Sequence, residues 1–270
     1  FREEDDAVLK YVNDDGDLVQ PEHYVPIIPM ILVNGCLGIG TGWSCSIPGH
    51  NPLDLIAAIR TWLDMDGKVI ETDDNEVSVS MFNDIKPWYR GFNGTIEKSG
   101  DNRYVSRGVI ETGDNNATVT ELPVGMWTNK FKEFCEELVQ NKVIKSLKNY
   151  STPKKVNFIV KQSDNGILCN TANMKLHTYI YTSNMVCFDD NDQLKKYLNI
   201  DTIIDEFCKV RYELYGKRKT HQLCSLEATL KHLNNKMRFV KDVIDKKIKI
   251  MNQKESDIVD ILEINSFDKQ

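Results

Sequence analysis

Apolar and polar positions change their period three times along the chain, and each change predicts a different kind of structure. The run Pro26-Ile27-Ile28-Pro29-Met30-Ile31-Leu32-Val33 is apolar without interruption and reads as strand-like. It leads into Asn34-Gly35-Cys36-Leu37-Gly38-Ile39-Gly40-Thr41-Gly42-Trp43-Ser44, where four glycines in eight positions permit positive φ and the close approach of another surface. Ile39 projects from their midst. After the turn-rich Ser46-Ile47-Pro48-Gly49-His50, Asn51 as N-cap and Pro52 at the first helical position predict a helix to about Leu63 that buries Leu53, Ile56, Ala57 and Ile59. Upstream, residues 1–20 are polar and acidic with a turn at Asp15-Gly16, and Gln20-Pro21-Glu22-His23-Tyr24 predicts a short helix. The acidic stretch from Glu71 to Glu76 reads as a surface linker.

From Val77 the period becomes two. Val77, Val79 and Met81 alternate with polar residues, as do Thr95-Ile96-Glu97, Tyr104-Val105-Ser106 and Ala117-Thr118-Val119-Thr120-Glu121-Leu122. Turn sequences at Phe92-Asn93-Gly94, Ser99-Gly100-Asp101-Asn102 and Gly113-Asp114-Asn115-Asn116 separate them, which predicts an antiparallel sheet. A helix from about Asn129 to Gln140 places Phe131, Phe134, Cys135 and Leu138 on one face, and strands return over 155–161 and 176–188. Beyond Asp192 the period turns helical again. A helix from about Asp201 aligns Ile204, Phe207, Val210 and Leu214, and Leu223, Leu226, Leu230, Leu233, Met237, Val240 and Ile244 continue the stripe at spacings of three and four. That is a heptad seam on a proline-free helix of ~50 residues, ~75 Å long, and it calls for a partner strand from beyond Gln270 or from another chain. Asn252-Gln253-Lys254-Glu255 has the form of a capping box opening a last helix through Ile258, Ile261 and Leu262. The expected fold class is α+β, an antiparallel-sheet domain with flanking helices followed by a long coiled-coil helix. Its segments are 1–76, 77–190, 191–251 and 252–270.

Composition narrows the function classes. With 270 residues and 41% hydrophobic content the chain can bury a real core. The net charge of −6 argues against a generic polyanion binder, yet the charge is uneven. Twelve Lys or Arg face four Asp or Glu between Lys209 and Lys249, whereas Glu3, Glu4, Asp5, Asp6, Asp14, Asp15 and Asp17 crowd the first twenty residues. These acids sit in turn-like contexts that predict exposure and no metal. The seven scattered cysteines, without Cys-x-x-Cys or zinc spacing, read as reduced thiols. No run is long and apolar enough for a membrane span. No nucleophile, base and acid can be assembled from five scattered histidines. The Gly-x-Gly-x-Gly pattern suggests a phosphate cradle, which would need a helix opening at the glycines, and Pro48 and its turn intervene first. A structural turn with Ile39 in the core is the simpler alternative. Phe1 in place of an initiator methionine suggests a piece of a longer chain.

The longer motifs say more. The glycine stretch, preceded by Pro21-Glu22-x-Tyr24-x-Pro26-Ile27-Ile28-Pro29-Met30, resembles the DNA-gate region of eukaryotic-type and viral type IIA DNA topoisomerases. The resemblance runs on in order through Pro87-Trp88-Tyr89-Arg90-Gly91-Phe92-x-Gly94-Thr95-Ile96-Glu97, Thr120-Glu121-Leu122-Pro123-x-x-x-Trp127-Thr128, Asn184-Met185-Val186-x-Phe188-Asp189 and Arg211-Tyr212-Glu213-Leu214-Tyr215-x-Lys217-Arg218-Lys219.

It implies a segment running from the end of a winged-helix domain through a tower domain into the first coiled-coil arm and the start of the C-gate. It also implies an ATP-dependent enzyme that opens a double-strand break and passes a second duplex through it. The nucleophilic tyrosine is then expected upstream of Phe1, so that no catalytic residue lies in this segment and the segment alone is inactive. Mg²⁺ and ATP belong to the full enzyme and none is expected here. The partners are double-stranded DNA and a second copy, joined through C-gate and winged-helix regions, with no membrane. Location is nuclear for a cellular eukaryotic protein, or host cytoplasm or nucleus for a large DNA virus. By resemblance Ile39 is the residue inserted between base pairs, supported by Gly38, Gly40, Thr41 and Gly42. DNA-contacting positions are Trp127, Lys175, His177, Thr178, Tyr179, Tyr181, Thr182, Ser183 and Asn184. Cys36-Leu37 replaces a usual small-then-acidic pair, Ser46 stands where lysine is frequent and Gly125 where arginine is common. A non-enzymatic coiled-coil DNA-architectural protein derived from the same gate is the alternative.

Overall fold

The computed structural model describes residues 1–65, 82, 85–163, 169–251 and 253–267. In order, the first elements are β1 (Tyr11–Asp14), β2 (Asp17–Pro21), α1 (Met30–Asn34), β3 (Cys36–Ile39), β4 (Ser44–Ile47) and α2 (Pro52–Asp64). Next come β5 (Thr95–Gly100), β6 (Arg103–Arg107), β7 (Val109–Thr112), β8 (Asn116–Glu121), α3 (Thr128–Gln140), β9 (Ile144–Asn149) and β10 (Phe158–Gln162). The chain continues through β11 (His177–Tyr181), β12 (Met185–Phe188), β13 (Leu194–Tyr197), α4 (Ile200–Ile244) and α5 (Glu255–Ile264). All pairings between these strands are antiparallel, so the fold is α+β with a long terminal helix, as the periods predict. The chain forms two compact units, Pro26–Val210 and a second made of Phe1–Val25 with Arg211–Gln270. The expected boundary at 76/77 and the strand at Val77, Val79 and Met81 lie outside the described residues.

The larger unit holds two apolar clusters. In the first, Leu32 of α1, Ile47 of β4, Leu55, Ala58 and Trp62 of α2, Met185 of β12 and Ile204 of α4 are buried together. The buried face of α2 is therefore centred on Leu55, Ala58 and Trp62, not on Leu53, which is exposed, or Ala57. Apolar residues nearly encircle this helix, so periodicity alone does not select a face. The Trp62 indole does, because its Nε1 donates to Asp205 Oδ1 at 2.8 Å. Asn51 caps the helix as predicted, accepting from the Leu53 amide at 3.0 Å.

In the second cluster, α3 lays Phe131 and Cys135 on the sheet β7-β8-β10-β9, with Phe131 edge-on to Phe158 at 5.0 Å. A separate three-stranded sheet runs β11-β6-β5.

Several local expectations change. Residues 30–34 form a one-turn helix instead of a strand, with the Leu32 and Val33 amides on the Pro29 carbonyl. Short apolar runs fit either state, and Pro29 just before Met30 starts the turn. The expected helix at Gln20–Tyr24 is absent because Pro21 ends β2, paired with Tyr11. Helix α5 starts at Glu255 with Lys254 as N-cap and no side-chain cap, since lysine has no acceptor; Asn252 of the expected capping box is outside the described residues.

Asp5 is also corrected. Far from being solvated, it is 2% exposed and receives Arg211 Nη1 at 2.7 Å and Arg218 Nη1 at 3.1 Å, all within the smaller unit. Arg211 also donates to the Val25 carbonyl at 3.0 Å and lies 4.2 Å over the Tyr215 ring, while its Nε and Nη2 have no hydrogen-bond partner. Along the helix, Leu223 through Ile244 of the heptad seam are exposed at every seam position.

His50 is fully buried between these elements of the larger unit, its amide and Nδ1 both directed at the Leu32 carbonyl and its Nε2 without a partner. Burial pulls its pKa from 6.5 down to about 4, partly opposed by the Leu32 carbonyl and Asp54.

Two outcomes follow from these buried groups. Between pH 6.5 and about 4 the unfolded chain binds a proton at His50 that the folded chain refuses. Stability is complete above 6.5 and falls as pH drops through that window, by up to roughly 3 kcal/mol. In urea titrations His50→Phe removes that part of the pH slope; an unchanged slope contradicts the burial account. Asp5→Ala leaves a buried guanidinium uncompensated and costs about 3–5 kcal/mol, whereas Asp5→Ala with Arg211→Met costs less than the sum of the single changes. Additive losses in the double-mutant cycle would refute a coupled pair.

Candidate nucleic-acid interface

The glycine stretch folds as the β3–β4 hairpin, with Cys36 opposite Ile47, Leu37 opposite Ser46, Gly38 opposite Cys45 and Ile39 opposite Ser44. Alternation divides the hairpin. Cys36, Cys45 and Ile47 turn toward the first apolar cluster, and Leu37, Ile39, Ser44 and Ser46 share the opposite face. The tip closes through the Gly40 amide on the Trp43 carbonyl at 2.8 Å, with Gly42 at φ +87°. No helix opens at these glycines, so the phosphate-cradle geometry is absent.

Ile39 is 88% exposed, so it does not belong to the core. Leu37 and Trp43 are exposed beside it and make the tip apolar, a feature that the sequence carried in plain view next to Ile39.

The glycines differ in what the fold asks of them. At Gly35, φ is +68° and a Cβ would lie 2.7 Å from the Ile47 carbonyl oxygen, so this position is glycine for the hairpin's own sake. Gly38 and Gly40 are unlike it. Neither has positive φ; a Cβ at Gly38 would meet nothing within 4 Å, and one at Gly40 only the Trp43 carbonyl oxygen at 3.7 Å. The fold leaves both positions free to carry a side chain, and their bareness flanks the exposed Ile39.

The hairpin is fastened from behind. Ser46 donates its amide to the Asn184 carbonyl at 2.8 Å, and the Asn184 side-chain amide donates to the Ser44 carbonyl at 3.1 Å and Ser44 Oγ at 2.9 Å. Asn184 thus faces the hairpin. Thr41 is exposed at the tip. Buried surroundings raise the Cys36 thiol pKa, with Cys45 adding to it, and push Cys187 up to about 11. All seven cysteines are free thiols.

The other expected contact residues lie on or beside β11. His177, Tyr179 and Tyr181 share one face, with successive rings 6.0 and 6.4 Å apart, and the Arg103 guanidinium lies 4.9 Å over Tyr179. Arg103 was not singled out from the sequence; its pairing with Tyr181 across β6 and β11 brings it there. Thr178 and Thr182 point the other way. Thr178 Oγ1 donates to the Val124 carbonyl at 2.7 Å and Thr182 is 6% exposed. Ser183 is exposed. Lys175 sits at φ +51° with Nζ 4.5 Å over the Phe134 ring. Trp127 is 73% exposed at the start of α3, which removes the core-tryptophan alternative. The neighbouring Gly125 has φ +84°.

Among the described residues no group of three His, Cys, Asp or Glu can hold a metal ion, and no helix is long and apolar enough to cross a membrane.

Comparison with known proteins accords with this geometry. Residues 1–269 match the DNA gyrase/topoisomerase IV family in its A-type polypeptide. DNA topoisomerase 2 of Invertebrate iridescent virus 6 is 40% identical over 99% of this chain and 23% of its own length. The mitochondrial DNA topoisomerase 2 of Dictyostelium discoideum is 36% identical over 97% of this chain and 20% of its own. The chain therefore spans about a fifth of the length of these relatives. A crystal structure of the Plasmodium falciparum topoisomerase II DNA-binding, cleavage and re-ligation domain superposes with a TM-score of 0.82 at 32% identity, over 99% of this chain and 36% of that one. The hairpin, the tower-like sheets and the long helix are thus those of a type II topoisomerase segment, and the chain belongs to the DNA gyrase/topoisomerase IV family.

Proposed function

We propose that this chain is the DNA-gate segment of an ATP-dependent type II topoisomerase, and that it binds and bends the duplex in which the double-strand break is made. One observation carries the reading: an isoleucine that is 88% exposed stands between two glycines whose missing side chains the fold does not require. A bare backbone on both sides of an apolar side chain suits entry into a minor groove, where the wedge unstacks one base step. Unstacking costs a few kcal/mol, offset by phosphate contacts that only bent DNA can make, so deformable steps are favoured without direct reading of bases. Asn184 fixes the wedge by holding Ser44. Trp127, Lys175, Ser183 and the His177, Tyr179 and Tyr181 face present ring, ammonium and hydroxyl groups to the flanking duplex. Thr178, Thr182 and Asn184 serve instead to position strand and hairpin, through the Val124 carbonyl, burial and Ser44 respectively.

In this reading Mg²⁺, ATP and the nucleophilic tyrosine belong to other parts of a homodimeric enzyme. The described residues offer no metal cluster and no glycine-rich helix N-terminus for them. Bound Mg²⁺ would stabilise charge at the reacting phosphate, and the residues here would shape and hold the DNA.

In the full-length protein, Ile39→Asp lowers duplex bending, read by energy transfer between end-labelled DNA arms, and strand cleavage by about tenfold or more, with duplex affinity changed by less than about threefold. Gly38→Ala leaves the melting temperature in place and reduces bending. Equal loss of binding, bending and cleavage in Ile39→Asp counts against the wedge. Intact bending without any cleavage in the unmodified protein would favour a purely architectural role.

A further inference from the structure

The sheet β7-β8-β10-β9 carries a concentration of positive charge that the wedge and its flanking contacts do not use. From Asn141 to Lys161 the chain has six lysines, at 142, 145, 148, 154, 155 and 161, and no acidic residue, within a protein of net charge −6. All six are exposed, and none is ion-paired to a described residue. By contrast, Lys132 on the adjoining helix pairs with Glu136.

Strand register groups them. On β10 and β9, Lys161 faces Ser146 and Ile159 faces Lys148, so Lys148 and Lys161 are diagonal neighbours on one face. That face is opposite to the one that Phe158, Val160 and Ile144 turn toward α3. The register shifts by one residue between Lys161 and Gln162, which leaves Lys145 as the extra, bulged residue of β9 and aims it off the regular pleat. Lys154 and Lys155 lie in the β9–β10 connection and Lys142 just before β9.

Lysines on an edge strand have an ordinary explanation, protection against edge-to-edge pairing, and β9 is an edge. That explanation does not reach Lys161, because β10 is an interior strand between β8 and β9. Nor does it call for two like charges placed diagonally on one face, an arrangement that repels unless an anion lies over it. The residues around them, Asn116, Thr118 and Ser146, offer amide and hydroxyl groups of the kind that contact phosphate and sugar. A strand of this length is about 20 Å, along which a duplex presents roughly one phosphate charge per 1.7 Å.

We propose that the outer face of β9 and β10, with Lys145, Lys148 and Lys161 at its centre, is a second docking surface for the phosphate backbone of duplex DNA, sequence-independent and separate from the wedge. This surface rests on the reading of the chain as a DNA-gate segment. It supplies affinity and salt dependence; the hairpin supplies the bend.

The test uses the full-length protein with Lys145→Gln, Lys148→Gln and Lys161→Gln combined, and Ile39→Asp as a separate variant. Duplex affinity is measured against salt concentration for one long and one short duplex, with bending read at saturation. The lysine variant retains its melting temperature and its bending amplitude. Its plot of log affinity against log salt is shallower by about 2 to 3 on the long duplex, near 0.9 per lost contact. Ile39→Asp shows the reverse, a lost bend with the salt slope kept. An unchanged slope in the lysine variant overturns the proposal. If that variant also aggregates, the lysines serve edge protection; if it loses competition by polyglutamate instead, the surface takes an acidic polypeptide. Loss of bending in Ile39→Asp would leave the gate reading standing in either event, and retained bending there would remove that reading independently.

Discussion

Everything proposed for this segment depends on keeping an isoleucine in water. Ile39 gains nothing from its position in the fold, since burying a side chain of this size is worth roughly 1.5–3 kcal/mol and here it is forgone. A two-stranded hairpin is only marginally stable alone, so such a tip needs support from elsewhere. Cys36, Cys45 and Ile47 supply part of it by packing onto the first apolar cluster. Asn184 supplies the rest, holding Ser44 across 140 positions of sequence through both a carbonyl and a hydroxyl. The hairpin is thereby firm at its base and bare at its tip. Rigidity at the base allows an apolar wedge to push into a stack of bases without folding back.

The same division of labour recurs on β11. Its two faces look alike in sequence, an alternation of rings and hydroxyls, and the structure gives them different work. His177, Tyr179 and Tyr181 face outward with Arg103 over the central ring, and Thr178 turns inward to the Val124 carbonyl. Charge is apportioned in a comparable way. Asp5 neutralises Arg211 and part of Arg218 in the interior of the smaller unit, so these two cations of the basic helix are spent on structure and are not available to a polyanion. The lysines around β9 are free of described partners and exposed.

How much of this was legible in the sequence depended on whether a pattern had one physical meaning or two. The two-residue period from Thr95 to Leu122, the Asn51-Pro52 helix start and the seam on α4 each had one, and they appear where expected. Residues 30–34 had two, strand or helix, and the proline before them chose the helix. Helix α2 was apolar on so many sides that only a tertiary bond, Trp62 to Asp205, selected its face. Strand β9 was overlooked because its lysines obscure the alternation, and the bulge at Lys145 breaks what remains of it. Asp5 looked like any exposed acid, since its two partners lie more than 200 positions away. Of the candidate contact residues, the motif identified the right neighbourhood. The direction of each side chain came from strand alternation and from bonds such as Thr178 to Val124, which no local pattern records.

The central claim is that Ile39 enters the duplex and separates two bases. The most direct measurement is the fluorescence of 2-aminopurine, which brightens when unstacked, placed in turn along a bound duplex, with the full-length protein and with Ile39→Ala. The account predicts a rise at a single step with the unmodified protein and none at that step with Ile39→Ala. An equal rise with both proteins, or no rise at any position, would contradict it.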